Sequence, residues 1–488
     1  MEGQAGKGIE LTLPSPQSIP DLSSHQREQY ALAASHPSNR GSLSILGGRP
    51  GTGKTFTLAR ILKSIPSARS AVAAPTGKAA VRVTESLARA GVPRVRATTI
   101  HSLLKVCDQD DGDGWGFEHD ESNPLPLDYI FIDEGSMIDT PLAGSLLAAL
   151  GTGCRVMLIG DVNQLAPVGH GAPLRDLIAA GVPHGELTEI QRNSGRIVKA
   201  CHEIIDRQRY APSAKLDFSG EAPENLLHVE RREPEAQIEA LKAMLEKFRN
   251  GSRIAGNIVD PVWDCQIITA VNEKSPLGRK ALNAILQGFL NPAGQQVPGN
   301  GFRVNDKLVC TKNGWVPVEA SRPRELAGVR VNADQKEGKV YCANGEQARV
   351  LAVFPRYTVA RLWAPDRLVR IPKGDSYTNE AGEIENAGCN WELAYAVSCH
   401  KSQGSEWPVV ITLLDAYPGA RMLCTREWLY TALSRAKTMG VTLGQRGVAD
   451  DMCRKSGLWN RKTFLVEKIS ELKQAGLAQA WDRELMEV

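Results

Sequence analysis

Residues 42–55 read SLSILGGRPGTGKT. A short apolar run closes on two glycines, a Gly-rich turn follows, and a helical pattern starts at Lys54. Gly48, Arg49, Pro50, Gly51, Thr52, Gly53, Lys54 and Thr55 fit the GxxxxGK[ST] spacing, in the strand-to-helix context that this spacing requires. Glycines let successive backbone N–H groups wrap phosphate oxygens, and a helix N-terminus adds positive potential. Lys54 then reaches the β- and γ-phosphates, and the Thr55 hydroxyl is a Mg²⁺ ligand. The structural alternative is a Gly-rich turn carrying an exposed lysine.

Outward from this loop, strand-like apolar runs alternate with helical stretches. Ser70–Pro75, Tyr129–Glu134 and Cys154–Asp161 are further runs, each with polar residues at its C-terminal end. Parallel α/β sheets place their ligand crevice there. The first 190 or so residues therefore read as one doubly wound α/β domain. Asp133 and Glu134 end the run YIFIDE, and two carboxylates beside an apolar strand are costly unless they serve polar chemistry. Next to a phosphate loop, Asp133 is a candidate to hold Mg²⁺ through water and Glu134 to deprotonate the attacking water. Gln164, in GDVNQLAPV, carries a neutral amide suited to sensing a γ-phosphate.

Ile238, Leu241, Leu245 and Phe248 recur at helical spacing, with a stop at Asn250-Gly251. Cys265–Ala270, Pro408–Leu414 and Gly440–Gly444 again read as buried strands, which predicts a second α/β domain. Between them, Gly301–Cys389 has short alternating segments and the turn signal Asn344-Gly345, the texture of a small β-barrel.

Composition narrows the class. The 488 residues carry 58 Lys plus Arg against 55 Asp plus Glu, a net charge of +3. That balance excludes a histone-like polybasic binder, but a local basic groove for nucleic acid remains compatible with it. No run approaches the ~18 apolar residues of a membrane span. The N-terminus lacks an apolar secretory core, and the ten cysteines form no CxxC pair, which predicts reduced thiols, a cytoplasmic location and no zinc cluster.

Eight motifs then follow in order: GRPGTGKT, APTGKAA (74–80), TTIHSLL (98–104), FIDEGSMID (131–139), GDVNQLAPV (160–168), LTEIQRNSG (187–195), AYAVSCHKSQGSEW (394–407) and LYTALSRAK (429–437). In this series the chain resembles the superfamily 1 DNA helicases, in particular their RecD/Dda-like branch. The resemblance implies two RecA-like P-loop motor domains, an inserted β-hairpin pin and an SH3-like β-barrel. Pro-, Ser- and Gly-rich composition before Asp21 reads as a flexible tail at 1–20; the resemblance implies a first motor domain at 21–190 with the pin at 105–127, and a second motor domain at 191–300 and 391–450. The barrel then occupies 301–390 and a C-terminal helical segment 451–488.

By the same resemblance Gln26 reads the adenine edge, and Phe56 with Gly404 and Glu406 belongs to the nucleotide-binding set. Arg192 and Arg435 reach the γ-phosphate, where a guanidinium offsets transition-state charge. Pro75, Thr76, His101, His400, Lys401 and Gln403 match positions along single-stranded DNA, with Gln403 coupling that track to the nucleotide; a buried core histidine is the alternative at His101 and His400. Trp115 and Phe117 in the pin segment could stack on a terminal base pair. Its acidic residues, among them Asp110, Asp111 and Asp113, equally suit a solvated loop. Arg49-Pro50, Gly135 and Cys399 depart from the residues common in the family, and Cys399 puts one DNA contact in question.

The expected activity is ATP- and Mg²⁺-dependent translocation on single-stranded DNA, 5′ to 3′, with opening of duplex DNA by a monomer for recombination, repair or replication. The alternatives are a DNA-stimulated translocase that opens no duplex, or a partner-dependent subunit of a RecBCD-like recombination complex. Single strands and single/double-strand junctions are the expected partners, with recombination-complex subunits as further candidates.

Overall fold

The computed structural model describes residues 12–35, 43–65, 68–108, 115–151, 153–190, 195–312, 314–318, 324–326, 329–331, 339–342, 344–363, 366–373, 376–378, 384–386, 390–458 and 461–474. The chain divides into two units: Met1–Pro75 with Ala79–Arg192 and Leu458–Val488, and Thr76–Lys78 with Asn193–Gly457. Among the described residues no helix is long and apolar enough to cross a membrane. The nine described cysteines are free thiols, all buried except Cys107, and Cys389 lies outside the described residues.

The first unit is built on a six-stranded parallel sheet. Its spatial order is Thr98–Thr99, Ser70–Ala74, Tyr129–Ile132, Arg155–Gly160, Leu43–Gly48 and His184–Leu187. Side chains alternate between two cores, one on each face. Ile130, Ile132, Val156 and Leu158 enter one core, while Tyr129, Phe131, Met157 and Ile159 enter the other. The four central strands are the four that the apolar runs predict. The two edge strands carry no such run, because an edge buries less surface.

The described residues from Leu458 onward belong to this unit, within the stretch read as a C-terminal helical segment. Helix Leu465–Gln474 sends Ile469 into the core, with Leu465 packed against it. Arg175, itself paired with Asp176 at 2.6 Å, donates to the carbonyl oxygens of Leu458 and Arg461. These bonds satisfy a buried guanidinium and tie the returning chain to helix Pro173–Ala179.

The second unit holds a five-stranded parallel sheet in the order Ala396–Ser398, Cys265–Thr269, Trp407–Leu414, Ala436–Gly444 and Leu226–Glu230. Again the three central strands are those predicted and both edges are the ones missed. Helix Pro234–Arg249 buries Leu241, Leu245 and Phe248, starts on a proline at its first turn, and stops at Asn250 with Gly251 at φ 85°.

The inserted β-rich segment forms a five-stranded antiparallel sheet. Its order is Asp366–Pro372, Tyr357–Trp363, Gln347–Val353, Lys307–Cys310 and Trp391–Leu393. Trp391–Leu393 is the closing strand, so the module extends past residue 390, and the chain re-enters the parallel sheet at Ala396. Gly345 takes φ 89° in the predicted Asn344-Gly345 turn. In the first unit, Val106–Asp108 pairs antiparallel with Trp115–Phe117 as a short two-stranded ribbon.

Candidate functional site

Strand Leu43–Gly48 delivers the phosphate loop to the head of helix Lys54–Ser64. Gly51 and Gly53 adopt φ 78° and 87°, a left-handed backbone that side chains resist. Gly48 is hemmed in by Leu187, the Thr52 hydroxyl and the Lys54 stem, leaving no room for a Cβ. The Thr52 hydroxyl donates to the Arg49 carbonyl at 2.8 Å. Lys54 Nζ donates to the carbonyls of Gly48 at 2.6 Å and Arg49 at 3.2 Å. Pro50 lies half-buried at the turn, and Thr55 half-buried on the first helical turn. The Phe56 ring lies 4.4 Å under the Arg60 guanidinium.

Gln26 is buried on helix Ser24–Ala34 beside this loop. Its amide is already engaged: Nε2 donates to the Thr52 carbonyl at 3.3 Å, and Oε1 accepts from the Ser23 N–H at 3.1 Å in a capping box. In this arrangement Gln26 braces the phosphate loop.

Asp133 and Glu134 follow the central strand Tyr129–Ile132, both buried. Asp133 Oδ1 accepts from the Glu134 N–H at 2.8 Å, while Oδ2 is buried with no hydrogen-bond partner. Burial, and next the Glu134 carboxylate, push the Asp133 carboxyl above its ordinary range; Arg82 and Lys54 pull the other way. A buried, unsatisfied carboxylate oxygen facing a phosphate loop fits a hydrated divalent cation. Glu134 itself sits at φ 57°, and its Oε1 pairs with Arg82 Nη2 at 2.9 Å.

The loop after strand Arg155–Gly160 places Gln164, buried, with its N–H donating to the Asp161 carbonyl at 3.1 Å. Arg461 from the C-terminal return donates to the carbonyl oxygens of Pro167 and Gly169 and so pins this loop. Glu186, on the edge strand beside Gly47, is a further acid of the site. Burial first, then Asp161, push its carboxyl up to about 7, against the opposing pull of Lys54 and Arg49.

Arg82, Arg461 and Glu186 were missed by sequence reasoning. Glu186 shares the signal that marks Asp133 and Asp161, a polar residue ending a strand, but its strand HGEL is too short and polar to be recognised. Nothing in the sequence marks Arg82 or Arg461, whose partners lie far along the chain.

Pro75 and Thr76 form the bend between strand Ser70–Ala74 and helix Gly77–Arg89. His101, on the short helix Ile100–Leu104, lies 5.8 Å from the Phe117 ring, and burial lowers its basicity while Asp139 partly offsets this. Phe117 is half-buried and packs against the apolar core. An aromatic ring beside an open apolar face gains by covering it. The Trp115 side chain and residues 109–114 lie outside the described residues. Of the remaining acidic residues, Glu118 pairs with Lys105 at 2.7 Å, and Asp120 accepts from Ser122 and Asn123 in a local turn.

In the second unit, Arg435 joins helix Arg426–Leu433 to strand Ala436–Gly444. It is only 2% exposed; Nε donates to the Thr431 carbonyl at 3.1 Å and Nη2 to the Ser434 hydroxyl at 3.0 Å. Gln403 ends the short helix Cys399–Ser402, buried, and Gly404 turns the chain at φ 68°. Glu406 pairs with Lys437 at 3.6 Å. His400 is exposed, whereas Lys401 reaches Glu392 at 3.2 Å, the carboxylate that also takes Arg279. Cys399 is buried with its thiol aimed at the Trp428 carbonyl, and burial pushes it up to about 12, so it faces the core rather than a ligand. Arg192 lies outside the described residues.

Two domain families match the chain: an AAA domain over residues 31–170 and a UvrD-like helicase C-terminal domain over residues 393–439. The RecBCD enzyme subunit RecD of Mycolicibacterium smegmatis is 30% identical over 437 residues, covering 84% of this chain and 70% of that protein. The ATP-dependent RecD2 DNA helicase of Deinococcus radiodurans is 30% identical over 406 residues, 81% of this chain. The match spans about half of that relative's length, 46%. A solved Pif1 helicase from Bacteroides, in complex with ADP-AlF3 and ssDNA, covers 93% of the chain at 18% identity and a TM-score of 0.46, too loose a likeness to bear on the assignment. With the phosphate loop, the acidic pair and the ordered motifs in place, and a RecD relative matched over most of both chains, this chain belongs to the RecD-like branch of the superfamily 1 DNA helicases.

Proposed function

We propose that the protein is an ATP-dependent DNA helicase that moves 5′ to 3′ along single-stranded DNA and opens duplexes in recombination, repair or replication. The observation that carries this reading is the phosphate loop beside the buried Asp133–Glu134 pair. Lys54 and the loop N–H groups bind the β- and γ-phosphates, and Glu134 takes the proton of the attacking water. Thr55 and Asp133 would hold Mg²⁺, which supplies neutralising charge at the phosphates. Gln164 senses the γ-phosphate, and Arg192 and Arg435 donate to it as transition-state charge builds.

Pro75, Thr76, His101, His400 and Lys401 bear on the single strand, and the ribbon at 106–117 and the antiparallel module, read as a pin and an SH3-like barrel, guide the junction. Work as a monomer and a cytoplasmic location belong to the same reading. A second reading, a partner-dependent subunit, is favoured by the relative named as a RecBCD subunit.

The deciding experiment measures strand separation with ATP and Mg²⁺ on a 5′-tailed, a 3′-tailed and a blunt duplex. Opening of the 5′-tailed duplex alone is expected. Opening of the 3′-tailed one alone overturns the polarity. ATP turnover stimulated by single strands without any opening favours the subunit reading, and size exclusion on the tailed duplex then tests for a lone monomer.

A further inference from the structure

We infer that Arg461 is a positioning residue for ATP turnover: it holds the loop after strand Arg155–Gly160 where Gln164 meets the γ-phosphate. This rests on the helicase reading and adds to the same site a contact from the far end of the chain. Arg461 Nη1 donates to the Pro167 carbonyl at 2.6 Å, and Nη2 donates to the Gly169 carbonyl. Those acceptors lie three and five residues beyond Gln164.

The main chain that carries Arg461 is itself fixed. Buried Arg175, paired with Asp176, donates to the carbonyls of Leu458 and Arg461. Helix Leu465–Gln474 anchors the same stretch by burying Ile469 in the core of the first unit. The loop that Arg461 grips is fastened at both ends. Asp161 accepts the Gln164 N–H on its carbonyl and the Asn163 N–H on its carboxylate, and the His170 carbonyl accepts the Thr140 N–H. Gly169 lies so near the Asp139 carboxylate that a Cβ has no room. Arg461 takes hold between those ends, at Pro167, whose ring fixes φ and passes a displacement on. Gln164, Leu458 and Ser136, from the turn after the acidic pair, line one small cavity. The returning chain is therefore part of the wall behind Gln164.

A guanidinium presents a planar fork of donors, so one side chain bridges two carbonyls and sets both the place and the tilt of the peptides between them. A neutral amide senses a γ-phosphate only within hydrogen-bond range, about 2.7–3.2 Å. A displacement of about 1 Å costs up to about 10²-fold in rate. ADP has no γ-phosphate and takes nothing from Gln164. Loss of the Arg461 grip is therefore felt by a triphosphate and not by a diphosphate, a selectivity that general loosening of the fold does not produce.

Binding of ADP and of the non-hydrolysable β,γ-imido analogue of ATP to the full chain, each with Mg²⁺, tests this alongside ATP turnover. Arg461→Ala is expected to weaken the analogue about tenfold, to leave ADP within about twofold, and to lower kcat about 10–10²-fold. Gln164→Ala is expected to show the same selectivity, and the double variant to be no weaker than either single one, because both changes remove one interaction. Equal weakening of ADP and analogue, unchanged affinity for both, a Gln164→Ala variant without the selectivity, or additive losses in the double variant overturns the inference while leaving the helicase reading intact. If Arg461→Ala does not fold, Arg461→Lys decides. One ammonium lacks the fork that bridges both carbonyls, so a smaller loss confined to the analogue is expected, and an equal loss for both nucleotides or none overturns the inference. A parent that binds neither nucleotide overturns the helicase reading and the inference with it.

Discussion

Lys54 donates its ammonium to the carbonyl oxygen of Gly48 at 2.6 Å, so the residue that should meet phosphate also closes its own loop. Lys54→Ala removes both roles. ATP turnover is expected to vanish, and unfolding in urea without nucleotide is expected to show a loss of about 1–3 kcal/mol, the usual cost of stripping a charged donor from a buried carbonyl. Turnover at the parent level would show that the loop does not bind phosphate through this amine.

Glu134→Gln keeps the shape of the side chain and removes its basicity. The variant is expected to bind ATP with little change and to hydrolyse it about 10²–10⁴-fold more slowly in single-turnover measurements. Hydrolysis at the parent rate would transfer the general-base role away from Glu134.

Arg435→Ala acts on the fold as well as on turnover. The guanidinium is 2% exposed and serves Thr431 and Ser434. Truncation opens a cavity and strands two polar partners. Turnover is expected to fall by about 10³–10⁵-fold, and stability by about 1–3 kcal/mol. Comparing kcat with the urea midpoint separates the two effects.

Ile469 is 1% exposed in the core of the first unit, although it comes from the far end of the chain. Ile469→Ala is expected to cost about 2–5 kcal/mol in urea unfolding. A neutral result would mean that helix Leu465–Gln474 docks without contributing to the core.

Glu186 gives the nucleotide-free protein a pH-dependent stability. Burial raises its carboxyl from an ordinary 4.5 to about 7, so the folded chain holds this proton longer than the unfolded one. Its contribution is fully present below the unfolded value and is lost as pH rises through the window from about 4.5 to about 7. Glu186→Gln is expected to flatten that slope and to raise Tm at pH 8 relative to the parent. A parent whose Tm does not fall faster than the variant's across this window would refute the assignment.

The edge strands show where reading the sequence stops. Tyr129–Ile132 and Trp407–Leu414 lie inside their sheets, are covered on both faces, and so read as apolar runs. Thr98–Thr99, His184–Leu187, Leu226–Glu230 and Ala396–Ser398 are all edges, short or mixed in polarity, and none was recognisable. At the site, Lys54, Asp133 and Glu134 were legible because local chain geometry makes their chemistry: a loop, a helix start, a strand end. That Phe117 packs against the core and Cys399 is buried was not legible, because the sequence shows what a side chain is, not which way it packs.

The sequence by itself determined the two parallel sheets, the phosphate loop and the acidic pair, since each arises from neighbours in the chain. Only the tertiary structure decided that Arg82 grips Glu134, that Arg461 and Ile469 carry the C-terminal stretch back to the first unit, and that Glu186 is buried beside Gly47. Those contacts join residues 52 positions apart or more, or depend on burial. Charge pairing and desolvation act through space, and a pattern read along the chain does not contain them.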